Sequence, residues 1–308
     1  MLTHSIPGDV LVIALKPGRL ANQLWLFAHF IAFARDAGIT VLNPAFEDNA
    51  HHFEGSRTQP VSHYPPCRLR RPMRPIRGVY SLARGTGALA ARLDPSGLCV
   101  PTVRLDHPSG FGFAHTFDLG TPGFRSLAAS RRLIVVQGWQ FVNGRSLAEH
   151  RDAICEYFRP TAPDRGRIGL AVSAARRGGD LLVGVHIRRG DYRSYMGGQY
   201  CFTDQTFDRV MRQAQEMFAP RRVRFLVCSD EPLSADNFSV GVTLGPGDAL
   251  GDLYALSLCD YLVGPPSTFS MWASFYGTVP LFVIESSDAH LDNESLRVYE
   301  SQFSFAPQ

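Results

Sequence analysis

The sequence predicts an α/β protein built from two Rossmann-like halves. Three observations carry that expectation. Between Leu181 and Ile284 short apolar runs alternate with helical stretches, the pattern of a parallel sheet covered on both faces. Near the amino terminus, the apolar run Val10 to Leu15 is followed by the turn Lys16-Pro17-Gly18-Arg19 and a long apolar stretch, which together make a strand, a glycine turn and a helix. The chain has 308 residues, enough for two domains at about 150 residues each.

In the first half, Val10–Leu15 reads as a buried strand, about Leu20 to Ala37 as a helix, and Ile39–Leu42 as the strand that closes a right-handed βαβ unit. The turn lacks GxGxxG, so the dinucleotide fingerprint is missing. Residues 43–125 read as irregular, with prolines and glycines throughout and little periodicity. Order is expected to resume with a strand at Leu133–Val136 and a helix near Leu147 to Phe158. After Pro160 and Pro163 comes a helix from about Arg165 to Arg176. Gly178-Gly179 then marks the expected boundary, giving domains 1–177 and 178–308. The second half reads as strand 181–187, helix 204–218, strand 223–228, strand 240–244, helix 249–259, strand 261–264, helix 268–276 and strand 279–284. A ligand cleft is expected between the halves.

Composition narrows the function classes. The 45% hydrophobic content supports sizeable cores, and a net charge of +3 is too small for a general nucleic-acid binder. Lys16 is the only lysine, so 30 of the 31 cationic residues are arginines, which we attribute to a coding bias. The six cysteines are scattered, without CxxC pairs or zinc-type spacing, and read as free thiols in a reducing compartment. The longest early apolar run falls far short of the roughly 20 residues a spanning helix needs, and no signal-peptide pattern precedes it. A cytoplasmic location is expected. Cys67 to Arg104 holds eight arginines against the single acid Asp94. Such a segment suits an acidic acceptor or peripheral contact with a membrane surface, a solvated insertion being the plainer alternative.

Chemistry concentrates at strand ends. Val185-His186-Ile187-Arg188-Arg189-Gly190-Asp191-Tyr192 places two guanidinium groups, an imidazole and a carboxylate just past a buried strand, where open α/β sheets bind ligands. Arginine's planar fork gives a phosphate two parallel charge-assisted hydrogen bonds and keeps its proton, so a diphosphate is the natural guest. Surface ion pairing of Arg188 and Arg189 is the competing explanation. In Gly264-Pro265-Pro266-Ser267-Thr268-Phe269, the prolines forbid helix before Ser267, which suits an N-cap and leaves helix-end amides for an anion; a capped structural helix is the alternative. Asp230, just past strand 223–228, suits a guanine edge or ribose hydroxyl, or caps a turn, and Asp252 is similarly open. Trp139, in Gln137-Gly138-Trp139-Gln140, suits a sugar ring or a core. His51, His52, His63, His107 and His115 show no metal-ligand spacing. No DxD triplet, P-loop, GxSxG or HExxH occurs, so metal-dependent handling of a diphosphate, hydrolysis and P-loop phosphoryl transfer lose support.

Two Rossmann-like halves describe the GT-B architecture of nucleotide-sugar glycosyltransferases. The pieces, in this order, resemble glycosyltransferase family 11, the α-1,2-fucosyltransferases. His186-Ile187-Arg188-Arg189-Gly190-Asp191-Tyr192 matches that family's HxRRxD(Y) motif, Gly18-Arg19-Leu20-Ala21-Asn22-Gln23 resembles its GGLGNQ element, and Asp252 to Trp272 resembles its D-x-x-x-M-S-x-C…NSTFSWW block. The likeness spans about residues 10 to 285. Departures are Pro266 for Asn, Met271 for the first Trp of the pair, Ala21 for Gly, and one aromatic fewer around Trp139.

The resemblance implies inverting transfer of L-fucose from GDP-β-L-fucose to a hydroxyl, O2 of a galactose in a glycan, with no metal or other cofactor. It implies Arg188 at the β-phosphate, Arg189 supporting the loop or the diphosphate, and His186 orienting donor or nucleotide. Ser267, Thr268 and Phe269 would hold phosphate and base, Asp230 guanine or ribose, and Asn22 the sugar or diphosphate from the other half. Asp191 is the nearest general base, or a brace for the arginines. The competing functions are a GT-B transferase for another activated sugar such as GDP-mannose, and a silent nucleotide- or glycan-binding protein.

Overall fold

A computed structural model describes residues 10–13, 18–67, 74–93, 101–105, 116–131, 133–138 and 140–301. Trp139, His107 and His115, along with residues 14–17 of the first strand and turn, lie outside the described residues. The chain divides into two compact units, Met1–Thr161 and Ala162–Gln308.

The first unit holds β1 (Val10–Ile13), α1 (Leu20–Ala37), β2 (Thr40–Leu42), β3 (His63–Tyr64), α2 (Arg77–Leu93), β4 (Thr102–Arg104), β5 (Phe117–Asp118), α3 (Pro122–Ser130), β6 (Leu133–Gln137), β7 (Phe141–Val142), α4 (Gly144–Glu149) and α5 (Arg151–Tyr157). Its sheet runs β3-β2-β1-β6-β4, parallel except for β3. Helix α1 is buried on nearly every side from Leu20 to Ala34, which its all-round apolar sequence requires. Gly38, at φ 67°, stops it in the left-handed conformation. Phe27, Phe46, Tyr157 and Phe158 pack edge-on or tilted at centroid distances of 5.1 to 5.7 Å.

Two expectations change here. The stretch 43–125 is not simply irregular: it carries a 3₁₀ helix at Pro44–His52, α2, the short strands β3, β4 and β5, and the start of α3. The expected helix near 147–158 is two helices meeting at His150, whose Nε2 bonds Asp36 at 2.7 Å while Arg35 donates to its Nδ1 at 3.2 Å.

The second unit holds α6 (Ala162–Ala175), β8 (Leu181–Ile187), α7 (Asp204–Met217), β9 (Val223–Ser229), β10 (Val242–Leu244), α8 (Ala249–Leu256), β11 (Tyr261–Gly264), α9 (Thr268–Gly277) and β12 (Leu281–Val283). The division at 161/162, rather than 177/178, assigns α6 to this unit. Arg167 pairs with Asp248 at 2.5 Å and Arg176 with Asp260 at 2.6 Å, which ties α6 to the ends of α8 and β11. Pro163 starts α6 instead of interrupting it, since the first helical turn has no use for its N–H.

The second sheet, β10-β9-β8-β11-β12, is parallel throughout. All seven residues of β8 are buried, as expected of a central strand. Leu181, Val183, Val185 and Ile187 share a core with Phe207, Val210, Met211 and Ala214 of α7. The pleat sends Leu182, Gly184 and His186 to the opposite face. There Gly184 admits Leu256 and Cys259, either of which a Cβ would approach within 3.0 Å.

Candidate functional site

The strand order sets the site. From β8 the chain steps outward to β9 and β10, then returns past β8 to β11 and β12. The loops after β8 and β11 therefore leave a switch point at the carboxyl ends of adjacent strands, where such sheets bind ligands.

His186 lies on the α9 face of β8. Its Nδ1 is 2.7 Å from Ser270 Oγ, and its ring stacks on Phe269 with centroids 4.8 Å apart and planes 27° from parallel. Burial, with some help from the charge on Arg188, pushes its pKa down to about 3, so the imidazole is neutral. Gly264 faces it from β11. A Cβ there would lie 3.2 Å from His186 Cβ and 3.0 Å from Ser270 Oγ, so the close approach of the two strand ends depends on the missing side chain.

Arg188 is largely covered and sits between two carboxylates. Its Nη2 is 2.7 Å from Asp191 Oδ1 and its Nε 3.4 Å from Asp230 Oδ2, while its guanidinium carbon lies 5.6 Å from the centre of the Tyr192 ring. The Nε–H is buried and makes no hydrogen bond. An orphaned donor on a guanidinium is a standing demand for an acceptor. Arg189 differs. Its Nε donates to the Phe202 carbonyl at 2.9 Å and its Nη2 to Asp204 at 2.5 Å, at the first turn of α7. Asp230 accepts the Arg189 backbone N–H at 2.9 Å through Oδ1, so its carboxylate underpins the loop. Gly190 makes room for this, since a Cβ would come within 2.8 Å of Asp230 Oδ2. Arg193 and Glu231 close the loop with a surface pair.

Tyr192 joins this loop to the next. Its buried hydroxyl donates to the Pro266 carbonyl at 2.5 Å and interacts with the Ser267 side chain, and burial raises its pKa far above the usual phenol value. Ser267 caps α9, its Oγ accepting the Phe269 N–H at 3.2 Å. The positive end of the α9 dipole thus opens beside the Arg188 loop. Met271 and Trp272, where the sequence departs from or keeps the family pattern, are both buried on α9, so that departure bears on packing.

The structure brings together His186, Arg188, Arg189, Asp191, Asp230, Ser267 and Phe269 through the contacts above, with Thr268 opening α9 between its cap and Phe269. Asn22 belongs to the first unit, in the first turn of α1, where Gly18 at φ 40° packs against its side chain. Asp252 is buried near the start of α8, where its Oδ1 accepts the Gly247 N–H at 2.9 Å, and burial raises its pKa to about 6. Sequence reasoning gave no role to Tyr192, Ser270 or Asp204. The tyrosine closing the motif was the available signal for the first. Ser270 lies one helical turn from the cap, which was the signal for the second. Among the described residues no group of three or more His, Cys, Asp or Glu is arranged to hold a metal ion.

The segment that carries this arrangement matches a known family. The sequence model of glycosyl transferase family 11 matches residues 168–298, which contain the whole Arg188 and Ser267 site. Over this segment, somewhat under half of the chain, the sequence is similar to glycosyltransferase family 11.

No curated protein matches the chain in sequence. Solved structures match it in fold. A mutant of Arabidopsis thaliana FUT1 in complex with GDP is 14% identical at a TM-score of 0.58, over 96% of this chain and 74% of that one. POFUT1 in complex with GDP-fucose is 13% identical at 0.54, over 89% and 95%. The fucosyltransferase NodZ from Bradyrhizobium is 15% identical at 0.54, over 90% and 96%. The chain therefore has the α/β, GT-B-like fold of these fucosyltransferases.

Proposed function

We propose that this glycosyltransferase moves L-fucose from GDP-β-L-fucose to O2 of a galactose in a glycan acceptor, with inversion and without a metal ion. The observation that carries the reading is the orphaned Nε–H of Arg188, buried beside the capped end of α9 in the matched segment. Departure of GDP builds negative charge on the β-phosphate, while the sugar gains oxocarbenium character. A fixed guanidinium and a helix N-terminus oppose that charge without rearranging, which favours the transition state over the ground state. GDP-binding and GDP-fucose-binding proteins of the same fold support the donor. A NodZ structure is described as an α-1,6-fucosyltransferase, so the α-1,2 linkage rests on the family 11 motif and not on the fold.

Arg188 binds the diphosphate and is the catalytic residue. Arg189, held by Phe202 and Asp204, positions the loop and leaves the diphosphate to Arg188. Asp230 and Asp191 hold Arg188 in place; with its carboxylate engaged on the arginine loop, Asp230 acts as a brace rather than as the guanine or ribose acceptor. A carboxylate committed to Arg188 is a poor general base, and a dissociative transfer does not demand a strong one. His186, neutral and stacked on Phe269, fixes the ring and the α9 end against which the nucleotide rests. Ser267, Thr268 and Phe269 supply helix-end donors. Asn22 contributes to donor binding, an assignment that rests on the likeness of Gly18–Gln23 to the family's first element.

The test is release of the nucleoside diphosphate, GDP from GDP-fucose and GDP-mannose or UDP from UDP-galactose, with lactose or N-acetyllactosamine, with and without EDTA, followed by assignment of the product linkage. GDP-fucose alone should turn over, unchanged by chelation, and the product should carry fucose on O2 of galactose. Equal use of the three donors, or donor binding with no turnover on a broad acceptor panel, would overturn the proposal.

A further inference from the structure

Helix α2 rests on the first unit by one face only. Tyr80 is fully buried, its hydroxyl accepting the Ser62 N–H at 2.8 Å, and Arg84 donates to the Pro44 carbonyl at 3.0 Å while pairing with Glu47 at 2.7 Å. At about 100° per residue, Leu82, Leu89 and Leu93 fall within an arc of roughly 40° centred opposite Tyr80. All three are well exposed, at 67%, 54% and 76%. They form an apolar stripe about 16 Å long, pointing away from the body of the unit. Exposed single leucines are ordinary, but three in line on one helix face are not.

Arginines stand at both ends of the helix that carries the stripe. Arg74, Arg77 and Arg92 are exposed and make no ion pair among the described residues. Within Cys67 to Arg104 the sequence holds eight arginines and one acid. We propose that α2 seats this chain on a membrane surface that bears anionic headgroups, with the leucines entering the interface and the arginines meeting the lipid phosphates. A leucine face with long basic side chains at the helix ends, able to reach the headgroups, suits a helix that lies in such a surface.

Two features favour a lipid surface over a protein. The stripe has no tryptophan, tyrosine or phenylalanine to anchor a shaped pocket, and Gly78, Gly85 and Thr86 beside it offer little relief. A second copy docking through α2 would set two strongly basic segments face to face, which opposes association.

Flotation of the full chain tests this, using vesicles of phosphatidylcholine alone and of an equal mixture of phosphatidylcholine and phosphatidylglycerol. The chain should float with the anionic vesicles at least about tenfold more than with the neutral ones, and high salt should weaken that binding. Combined Leu82→Ser, Leu89→Ser and Leu93→Ser should cut binding about tenfold. So should combined Arg74→Gln, Arg77→Gln and Arg92→Gln. Both variants should keep the wild-type melting curve and GDP-fucose affinity, since none of these side chains is buried and none belongs to the Arg188 loop or the cap of α9. Flotation with neither vesicle, binding untouched by both sets of changes, or a dimer in sedimentation that the leucine changes dissolve, would overturn the proposal.

Discussion

Tyr192 donates its hydroxyl proton to the carbonyl of Pro266 across 2.5 Å, joining the loop after β8 to the cap of α9. The contact uses backbone, so it is indifferent to the side chain at 266. That explains how proline stands where family 11 usually has asparagine. Pro266→Asn should therefore change stability and kcat/KM by less than about twofold. Tyr192→Phe removes the bond and leaves the carbonyl buried, and should cost about 1 to 2 kcal/mol in urea melts. It should lower kcat more than it raises KM, because the two elements proposed to hold the diphosphate lose their tie. An unchanged kcat in Tyr192→Phe would separate the bridge from the chemistry.

Ser267→Ala removes the cap of α9. The loss should be about 1 kcal/mol of stability, together with weaker binding of GDP-fucose. Ser267→Asp restores a cap and hence stability, but places a negative charge at the proposed diphosphate site, so calorimetry should show donor affinity lower still. If the two substitutions bind GDP-fucose alike, the α9 end is structural only.

His186 is buried and neutral, with its pKa pushed down to about 3 in the folded state. The unfolded chain binds this proton first, near pH 6.5. Stability from the neutral imidazole is therefore complete above about pH 6.5 and falls as the pH drops below that. Urea midpoints taken between about pH 7.5 and 5 should show this loss in the wild type and a shallower slope in His186→Gln. Parallel slopes would mean that the ring is not held neutral.

Asp252 should act with the opposite sign. Its folded pKa is raised to about 6 by burial, so the folded state keeps the proton longer than the unfolded chain does. Its contribution is favourable below about pH 4 and is lost as the pH rises to about 6. Asp252→Asn keeps an oxygen for the Gly247 N–H and should flatten that part of the stability curve. The same slope in both proteins would assign it to other groups.

Much of the second unit is legible in the sequence because its strands are apolar runs bounded by turn residues. Leu181–Ile187 and Tyr261–Gly264 form as the pattern predicts, and the helix after Ser267 begins where the prolines and the cap put it. The first unit was harder to read. Helix α2 carries Gly78, Gly85 and Gly87 and buries only a thin face around Tyr80, so its periodicity points toward solvent. Strands β3 and β5, at two residues each, are too short to alternate visibly. At the site, residue types told where charge would gather but not how it would be shared. Arg188 and Arg189 are neighbours in sequence, yet only the structure shows that Arg189 is spent on Phe202 and Asp204 while Arg188 keeps a free donor. The role of Tyr192 depends on a carbonyl 74 residues away, which no local pattern reveals.

The most direct test is the rate of fucosyl transfer by the wild type and by Arg188→Ala, both freed of metal with EDTA and both saturated with GDP-fucose. Loss of one preorganised charge-stabilising donor should lower kcat at least about a hundredfold, while the melting curve stays close to that of the wild type and the wild-type rate survives chelation. A wild-type rate in the variant, or activity in either protein that returns only when a divalent ion is added back, would contradict the account.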